Sequence, residues 1–386
     1  MRKALMLAST ASMIDQFNMD NIALLQKLGY EVHVACNFLE GNTCSREQIA
    51  ILQQRLEAMG VPYFQVDITR NVLNIPQVLK AYRQTRALMK EYGYDLVHCH
   101  SPIGGAVCRL AAMPFRKKGM QVIYTAHGFH FFKGAPLLNW LIYYPIEWCL
   151  AHVTDILITI NMEDRARARR HIHAKRIEYT PGIGIDTSKF GRSTANRQEK
   201  RLSLGLTEED FVILTVAEMN KNKNHTLILK ALGLLKDRPG FERIRYLICG
   251  QGDLQSTLEA EAESLGIRQQ VHFLGFRRDI QDIYKCSDLF AFMSFREGLS
   301  VALMEAMSCG LPPVCSPIRG NTDLVEHGVE GLLAEFDPNA VADAIWELYR
   351  NEDRRSRLSA AAAEKIHKFD QTSVHDRMEE IYGSIR

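Results

Sequence analysis

The feature that most constrains the fold is a series of short apolar segments, each of strand length and each followed by a stretch with helical spacing. In the first half of the chain these segments are ALMLAS (4–9), EVHVAC (31–36), YFQVD (63–67), DLVHCH (95–100), QVIYTA (121–126) and DILITI (155–160). Continuous apolar runs at this spacing are typical of parallel strands that helices bury on both faces. The pattern predicts a doubly wound α/β domain.

The same pattern restarts after a segment rich in glycine and small polar residues, TPGIGIDTSKFGRSTANRQEK, which has the composition of a linker. The second series is FVILTVA (211–217), IRYLICG (244–250), VHFLG (271–275), DLFAFMS (288–294) and PPVCS (312–316). We therefore expect two Rossmann-like domains with parallel sheets, over residues 1–190 and 191–368, because 386 residues exceed one ordinary core.

The last segment, residues 369–386, predicts a terminal helix. Val374, Met378, Ile381 and Ile385 recur at helical spacing after the second series of strands is complete. We expect this helix to pack toward the N-terminal domain.

The composition excludes several protein classes. With 46% apolar and 24% charged residues and no biased tract, the chain is typical of a globular protein. Its longest apolar stretch, residues 135–153, contains Asn139, Pro145 and Glu147 and falls short of the roughly 20 apolar residues that span a bilayer. The 9 cysteines form no C-x2-C pair, which indicates reduced thiols and, without a signal-peptide pattern, a cytoplasmic location.

Positive charge is concentrated in the N-terminal half, where residues 1–190 carry 22 Lys and Arg against 15 Asp and Glu. The aromatic segment at 128–152 shares this half with RKKG (116–119) and with Arg165, Arg169 and Arg170. These features fit peripheral contact with an anionic membrane surface at the inner face of the cell membrane. Core packing and a solvated basic helix face are the alternatives. Nucleic acid is not expected, because no basic stripe comes with stacking aromatics.

The stretch REGLSVALMEAMSCG (296–310) carries the clearest functional signal. It follows a predicted strand and opens a predicted helix, and ligands of parallel sheets bind at the carboxyl ends of the strands. Gly298 lets the backbone approach a ligand closely, and the free N–H groups of residues 299–301 would point at a phosphate. Glu297 in the loop and Glu305 in the second helical turn are suited to the vicinal hydroxyls of a ribose or hexose.

The sequence S-x2-EGLSVALMEAMSCGLPPV resembles the E-x7-E motif of family 4 glycosyltransferases, which are retaining enzymes with the GT-B fold of two Rossmann-like domains facing across a cleft. The likeness extends through PGIGIDTSKF, ICGQGD, VHFLGF and VEGLL and covers nearly the whole chain, which resembles the exopolysaccharide and capsule branch of the family. It implies sugar transfer from a nucleoside diphosphate sugar, with UDP expected, to a lipid-linked saccharide acceptor. It implies no cofactor and no metal, and no D-x-D motif lies near the candidate site.

The resemblance also implies roles for individual residues. Glu297 would contact donor-sugar hydroxyls, and Lys223 would neutralise the leaving diphosphate. His127, in the turn TAHGF, would face the donor sugar from the N-terminal domain. Glu305 would bind the ribose. The backbone of Phe276 and Arg277 would lie beside the base. The diphosphate would be bound by the amides of Gly298, Leu299, Ser300 and Val301.

One position departs from the family pattern. The family has an arginine before the lysine, in VGR-x4-K, and this chain has VAEMNKNK with Glu218 in its place. A carboxylate cannot bind a diphosphate as the arginine does. We interpret Glu218 as a feature of the branch, with Lys221 and Arg319 as the candidate replacement cations.

Other functions also fit the pattern. A UDP-sugar epimerase of GT-B architecture is the alternative enzyme, and a non-catalytic nucleotide-sugar-binding partner protein is the alternative that Glu218 suggests. The segment GQGDLQ is only a weak dinucleotide signal, because Gln255 replaces the third glycine of that fingerprint. His98 and His100 share one strand face, but no third ligand is visible, so core or cleft packing is expected rather than a metal site.

Overall fold

The computed structural model describes residues 1–69, 71–191 and 196–385. They form two compact units, one of Met1–Ile183 with Val374–Arg386 and one of Gly184–Ser373. Each unit contains one parallel sheet, of seven strands in the first and six in the second. The predicted class of two doubly wound parallel-sheet domains is confirmed. The start of the predicted linker, residues 184–190, belongs to the second unit.

The sheet of the first unit has the strand order β3-β2-β1-β4-β5-β6-β7. Its strands are β1 (Arg2–Thr10), β2 (Tyr30–Asn37), β3 (Tyr63–Gln65), β4 (Leu96–His100), β5 (Gln121–Ala126), β6 (Ile156–Thr159) and β7 (Arg176–Tyr179). Its helices are α1 (Ala11–Phe17), α2 (Met19–Lys27), α3 (Arg46–Ala58), α4 (Ile75–Tyr92), α5 (Pro102–Arg116), α6 (Leu137–Ala151) and α7 (Met162–His171). Successive strands are added toward one side of the sheet from β1 to β3 and toward the other side from β4 to β7. The carboxyl ends of β1 and β4, where this order reverses, border the crevice in which such folds bind ligands.

Both faces of this first sheet are buried, which explains the continuous apolar runs. Alternate residues of β1 point to opposite faces: Ala4 and Met6 join the core beside α1, α2 and α3, while Leu5 and Leu7 join the core beside α4 and α5. Strand β7 was not predicted, because its sequence RIEY is polar and all of its residues are only half-buried at the sheet edge.

The second unit begins with α8 (Thr187–Gly191) and α9 (Arg197–Ser203) and has the strand order β10-β9-β8-β11-β12-β13. Its strands are β8 (Phe211–Val216), β9 (Ile244–Cys249), β10 (Val271–Gly275), β11 (Leu289–Phe292), β12 (Pro313–Cys315) and β13 (Leu332–Leu333). Its other helices are α10 (His225–Leu235), α11 (Gln255–Ser264), α12 (Ile280–Cys286), α13 (Val301–Ser308), α14 (Asn321–Leu324), α15 (Pro338–Arg350) and α16 (Glu352–Ile366). Short 3₁₀ turns lie at Lys221–Lys223, Phe241–Arg243, Arg268–Gln270 and His367–Phe369.

The last helix, α17 (Gln371–Gly383), packs on the first unit. Its buried residues Val374, Met378 and Ile381 join the core beside β1 and α1–α3, as the helical spacing predicted. Tyr382 is also buried there, and its hydroxyl bonds Nδ1 of His98 at 2.7 Å. The predicted return of the C-terminal helix to the N-terminal domain is therefore confirmed. Among the described residues, no helix is long and apolar enough to cross a membrane.

Candidate functional site

The loops that follow β8 and β11 in the second unit are joined to each other. The amide nitrogen of the Asn222 side chain donates to the carbonyl oxygen of Arg296 at 3.0 Å, and the backbone N–H of Phe295 donates to the Asn222 carbonyl at 2.8 Å. Because β8 and β11 are neighbours in the parallel sheet, both loops leave the same sheet edge. These bonds bring the lysine of one loop to the glutamate of the other.

Lys223 and Glu297 form an ion pair at this edge. Lys223 Nζ lies 2.7 Å from Glu297 Oε1, and the two side chains are only 21% and 13% exposed. The same ammonium group lies 5.0 Å from the ring centroid of Phe292, which is within cation–π range. The backbone N–H of Lys223 also donates to Oδ1 of Asn220, which fixes the turn. The structure thus brings together Lys223 and Glu297, two of the residues for which the family resemblance implied a role.

The backbone around Glu297 is held by the loop that follows β12. Arg319, which is buried, donates from Nε to the carbonyl oxygen of Glu297 at 3.1 Å. Gly320 has a φ of +80°, and a Cβ at this position would lie 2.5 Å from the carbonyl oxygen of Gly298. Only glycine allows this approach without a shift of the backbone. Arg319, one of the two candidate replacement cations, therefore supports the loop that carries Glu297.

Helix α13 starts immediately after this loop. Ser300 is its N-cap, and its hydroxyl oxygen accepts from the backbone N–H of Leu303 at 3.3 Å. In the described parts of the chain, the backbone N–H groups of Leu299, Ser300 and Val301 donate no hydrogen bond. Unpaired amides at a helix N-terminus attract anions. This arrangement, predicted from the sequence, could hold a phosphate next to the Lys223 ammonium group.

Glu305 lies in the second turn of α13, as predicted, and its partner is a tyrosine. The hydroxyl of Tyr284 donates to Glu305 Oε2 at 3.0 Å and also lies 3.1 Å from the carbonyl oxygen of Ala302. Burial raises the pKa of the Glu305 carboxyl to about 7, although the Tyr284 hydroxyl and the charge of Lys189 oppose this shift. No sequence pattern indicates Tyr284 as a site residue, because a buried tyrosine on α12 is normally a core residue.

Phe276 and Arg277 directly follow β10, where Phe276 is exposed and Arg277 binds an acidic side chain. Phe276 is 62% exposed. Arg277 forms an ion pair with Asp279, at 2.8 and 2.6 Å, and Lys200 also contacts that carboxylate. These two cations hold the pKa of Asp279 well below its usual value, mainly through the Arg277 hydrogen bonds. The predicted contact of these backbones with a base stays a prediction.

Glu218 is exposed to solvent, as is Lys221, the other candidate replacement cation. The adjacent GQGD segment has a packing role: a Cβ at Gly250 would lie 1.9 Å from the carbonyl oxygen of Ala217, and the backbone N–H of Met219 donates to the Gln251 carbonyl at 2.9 Å. Its glycines therefore let the loops after β8 and β9 touch. This close contact explains the glycines of the GQGD segment without a bound dinucleotide.

His127 lies in the first unit, after β5, beside two other histidines. Its Nε2 is 3.1 Å from Nδ1 of His100, and both line a cavity of about 40 Å³. His98 bonds Thr125 Oγ1 at 2.8 Å in addition to Tyr382. Burial lowers the pKa of His127 to about 4 and that of His98 to about 3, so these rings are neutral at pH 7. In the ranges described, no group of three or more His, Cys, Asp or Glu side chains is arranged to hold a metal ion.

Comparison with known proteins agrees with this arrangement. Residues 19–189 match the family described as "Glycosyltransferase Family 4", and residues 196–365 match "Glycosyl transferases group 1". A Bacillus subtilis (strain 168) protein named "Putative glycosyltransferase EpsD" is 34% identical over 386 residues, with 99% of this chain and 97% of that protein covered. The chain belongs to glycosyltransferase family 4.

Two further relatives extend the comparison of this family 4 glycosyltransferase. An Escherichia coli protein named "UDP-Gal:alpha-D-GlcNAc-diphosphoundecaprenol alpha-1,3-galactosyltransferase" is 29% identical over 327 residues, with 83% of each chain covered. The solved structure of Anabaena HepE, in complex with UDP and glucose, has a TM-score of 0.76 and 19% identity, with 100% of both chains covered. The glycosyltransferase is thus a retaining enzyme with the GT-B fold, as the sequence resemblance implied.

Proposed function

We propose that this glycosyltransferase moves a sugar from a UDP-sugar to a saccharide carried on a lipid diphosphate, in the biosynthesis of a surface polysaccharide. The observation that carries the proposal is the ion pair between Lys223, in the loop after β8, and Glu297, in the loop directly before the unpaired amides of α13. This combination offers positive charge and N–H donors for a diphosphate and a carboxylate for sugar hydroxyls.

The leaving group is the centre of the proposed chemistry. As the sugar departs, negative charge grows on the diphosphate, and the amides of Gly298, Leu299, Ser300 and Val301 together with Lys223 would stabilise it. Such preorganised donors are commonly the largest single contribution to catalysis. For this to happen, the Lys223 ammonium must exchange part of its contact with Glu297 for contact with the phosphate oxygens.

The two carboxylates would divide the rest of the donor between them. Glu297, released from Lys223, would accept hydrogen bonds from donor-sugar hydroxyls, and Glu305 would accept from the ribose hydroxyls beside Tyr284. Phe276 and Arg277 would border the base. His127, uncharged at neutral pH, would serve as a neutral hydrogen-bonding group toward the donor sugar. We assign no protein nucleophile.

Named relatives support the finer parts of the proposal. The Escherichia coli relative is named for a UDP-galactose donor and a diphosphoundecaprenol-linked acceptor, and the Anabaena structure holds UDP and glucose. Positive charge in the N-terminal half supports peripheral contact with anionic lipids at the inner face of the cell membrane.

A panel of UDP-sugars, each incubated with and without a lipid diphosphate saccharide, tests this proposal. Release of UDP that the acceptor accelerates supports transfer. Conversion of the donor to an epimeric UDP-sugar would instead support the epimerase, and binding without turnover would support a non-catalytic protein. Glu297→Ala should lower kcat/KM about 100-fold or more. Glu263→Ala, on the exposed surface of α11, is the matched control. Full activity of Glu297→Ala would refute the site assignment.

A further inference from the structure

A large apolar groove in the first unit takes no part in the chemistry described above. It lies between the start of α4, one side of α5 and the second half of α6, and its volume is about 440 Å³. This is within the range of roughly 300–1,000 Å³ that is usual for sites of small organic ligands. Val72, just before α4, lines it together with residues from all three helices, among them Ile75, Ile103, Ala106, Leu110 and Ile146.

The rim of the groove exposes large apolar side chains to solvent. Ile75 is 56% exposed, Leu110 is 43% exposed and Ile146 is 37% exposed, although each of them lines the groove. Leu138 and Leu141 of α6 are 63% and 65% exposed and share a helical stripe with the groove-lining half of that helix. Contiguous exposed apolar surface of this kind marks a binding site, whereas single exposed residues do not.

One of the groove-lining residues, Glu147, is acidic, and it forms an ion pair with a buried arginine inside the protein. Both oxygens of Glu147 accept from the Arg109 guanidinium, at 2.8 and 3.0 Å, and Glu147 Oε1 also accepts from the Tyr124 hydroxyl at 3.1 Å. Arg109 and Tyr124 are fully buried. The groove therefore offers no free charge to a ligand, so the body of its occupant should be apolar and uncharged.

One end of the groove reaches the sheet edge that carries the histidines. Helix α5 starts at Pro102, two residues after the last residue of β4, His100, and Pro102 and Ile103 line this end. From Pro102 to Leu110 the groove follows α5 for about 12 Å. A chain lying in the groove would therefore have one end at the carboxyl end of β4, on the opposite face of the sheet from the His100 side chain.

The other end of α5 carries positive charge. Lys117 and Lys118, which follow the helix, are exposed, whereas the neighbouring Arg116 is neutralised by an ion pair with Asp155 at 2.7 Å. A protein helix could also cover an apolar groove. A lipid fits these observations better, because cations flank apolar surface as they do in proteins that contact anionic lipid headgroups.

We propose that this groove binds the first isoprenoid units of a polyprenyl diphosphate acceptor, with the diphosphate at the Pro102 end. The inference rests on the proposed function for the identity of the lipid. Continuity with the carboxyl end of β4 favours the acceptor's own lipid over bulk membrane lipid, because only the acceptor must reach the reacting sugar.

Cys149 provides a native probe for this inference, because it lines the groove and its thiol is exposed. The wild-type enzyme would be alkylated with N-ethylmaleimide, and the rate at Cys149 followed by peptide mass spectrometry. Farnesyl diphosphate at about ten times its half-saturating concentration should slow this alkylation about tenfold, because the open fraction falls in proportion. Cys44, which does not line the groove, is the internal control and should react at an unchanged rate.

Three further ligands separate the possible occupants. Isopentenyl diphosphate and inorganic diphosphate share the headgroup and should not protect Cys149. Vesicles of phosphatidylglycerol without isoprenoid should not protect it either. Protection by these vesicles equal to that by farnesyl diphosphate would overturn the inference in favour of a bilayer contact. Absence of protection by farnesyl diphosphate would overturn it altogether.

Variants test whether farnesyl diphosphate protects Cys149 by binding in the groove. Ala106→Phe fills the groove and should raise the half-saturating concentration of farnesyl diphosphate about tenfold or more. Ala166→Phe, the same change at an exposed position of α7, should leave it unchanged. If Ala106→Phe does not fold, Leu110→Asp on the exposed rim replaces it, with the same expected rise. An unchanged value in a folded groove variant would overturn the inference.

This assay is independent of turnover. Protection of Cys149 in an enzyme that uses no UDP-sugar would support the groove and count against the proposed function. Turnover with a lipid-linked acceptor, without any protection of Cys149, would support the function and overturn the groove.

Discussion

The Glu305→Gln variant should be more stable than the wild-type protein in the absence of a donor, and the difference should grow with pH. The Glu305 carboxyl has a pKa of about 7 in the folded chain because it is buried, against 4.5 in the unfolded chain. A raised pKa gives a stability contribution that is complete below the unfolded pKa and is lost as pH rises through the folded pKa. Glutamine has no charge to desolvate and can still accept from the Tyr284 hydroxyl.

The magnitude follows from the two pKa values. Because protonation is linked to folding, the free energy of unfolding of the wild type should be lower by about 1 kcal/mol at pH 5 and by about 3 kcal/mol at pH 8, both relative to the fully protonated protein. The free energy of unfolding of Glu305→Gln should therefore exceed that of the wild type by about 2 kcal/mol more at pH 8 than at pH 5.

Urea unfolding at a series of pH values measures this difference, with Tyr284→Phe as a matched variant. Removing the Tyr284 hydroxyl takes away a hydrogen bond that lowers the Glu305 pKa, so the pKa of Glu305 in the folded variant should be higher. The pH-dependent loss of stability of Tyr284→Phe should therefore extend to higher pH than that of the wild type. If the stability difference between Glu305→Gln and the wild type does not change between pH 5 and pH 8, the carboxyl is already ionised in the free protein. The argument from burial would then be wrong.

Three further predictions concern the donor site. If Glu305 accepts both ribose hydroxyls in its ionised form, as proposed, donor affinity should fall about tenfold from pH 8 to pH 6, because only about a tenth of Glu305 is ionised one unit below its pKa. Calorimetric titration with UDP would show this fall, and a flat profile would contradict it. Lys223→Ala should lower kcat/KM about 100-fold in a steady-state assay, and an effect on KM alone would contradict a role at the leaving group. Gly320→Ala should cost about 2 kcal/mol or more of unfolding free energy, whereas Gly383→Ala on α17 is the control with open space.

Much of the fold could be predicted from sequence because its strands are buried on both faces. Every predicted apolar run became a strand of the two sheets, often shorter at its ends. Two strands escaped prediction for physical reasons. Strand β7 lies at a sheet edge and alternates charged with apolar residues, and β13 has only two residues. Edge and very short strands lack the apolar run on which the prediction depends.

The site was predictable only where its residues are close in sequence. The E-x7-E spacing located Glu297, Glu305 and the start of α13. Tyr284 and the backbone contact of Arg319 were not foreseen, because they reach the site from other loops and belong to no local pattern. Such tertiary partners set the environment of each site residue, and the raised pKa of Glu305 follows from them rather than from the motif.

The charges of the donor site are compensated before any donor arrives. Lys223 is paired with Glu297, and Glu305 is largely protonated below pH 7 because of its burial. The loops that carry these residues pack closely through their backbones, as at Gly298 and Gly320, which restricts movement of the loop amides. A ligand must therefore offer enough negative charge to draw Lys223 from Glu297 within a nearly fixed frame. We infer that a diphosphate meets this requirement and a monophosphate does not, so UMP should bind at least about tenfold more weakly than UDP. Equal affinities would mean that Lys223 stays on Glu297 in the complex, and that the amides of α13 hold the phosphate alone.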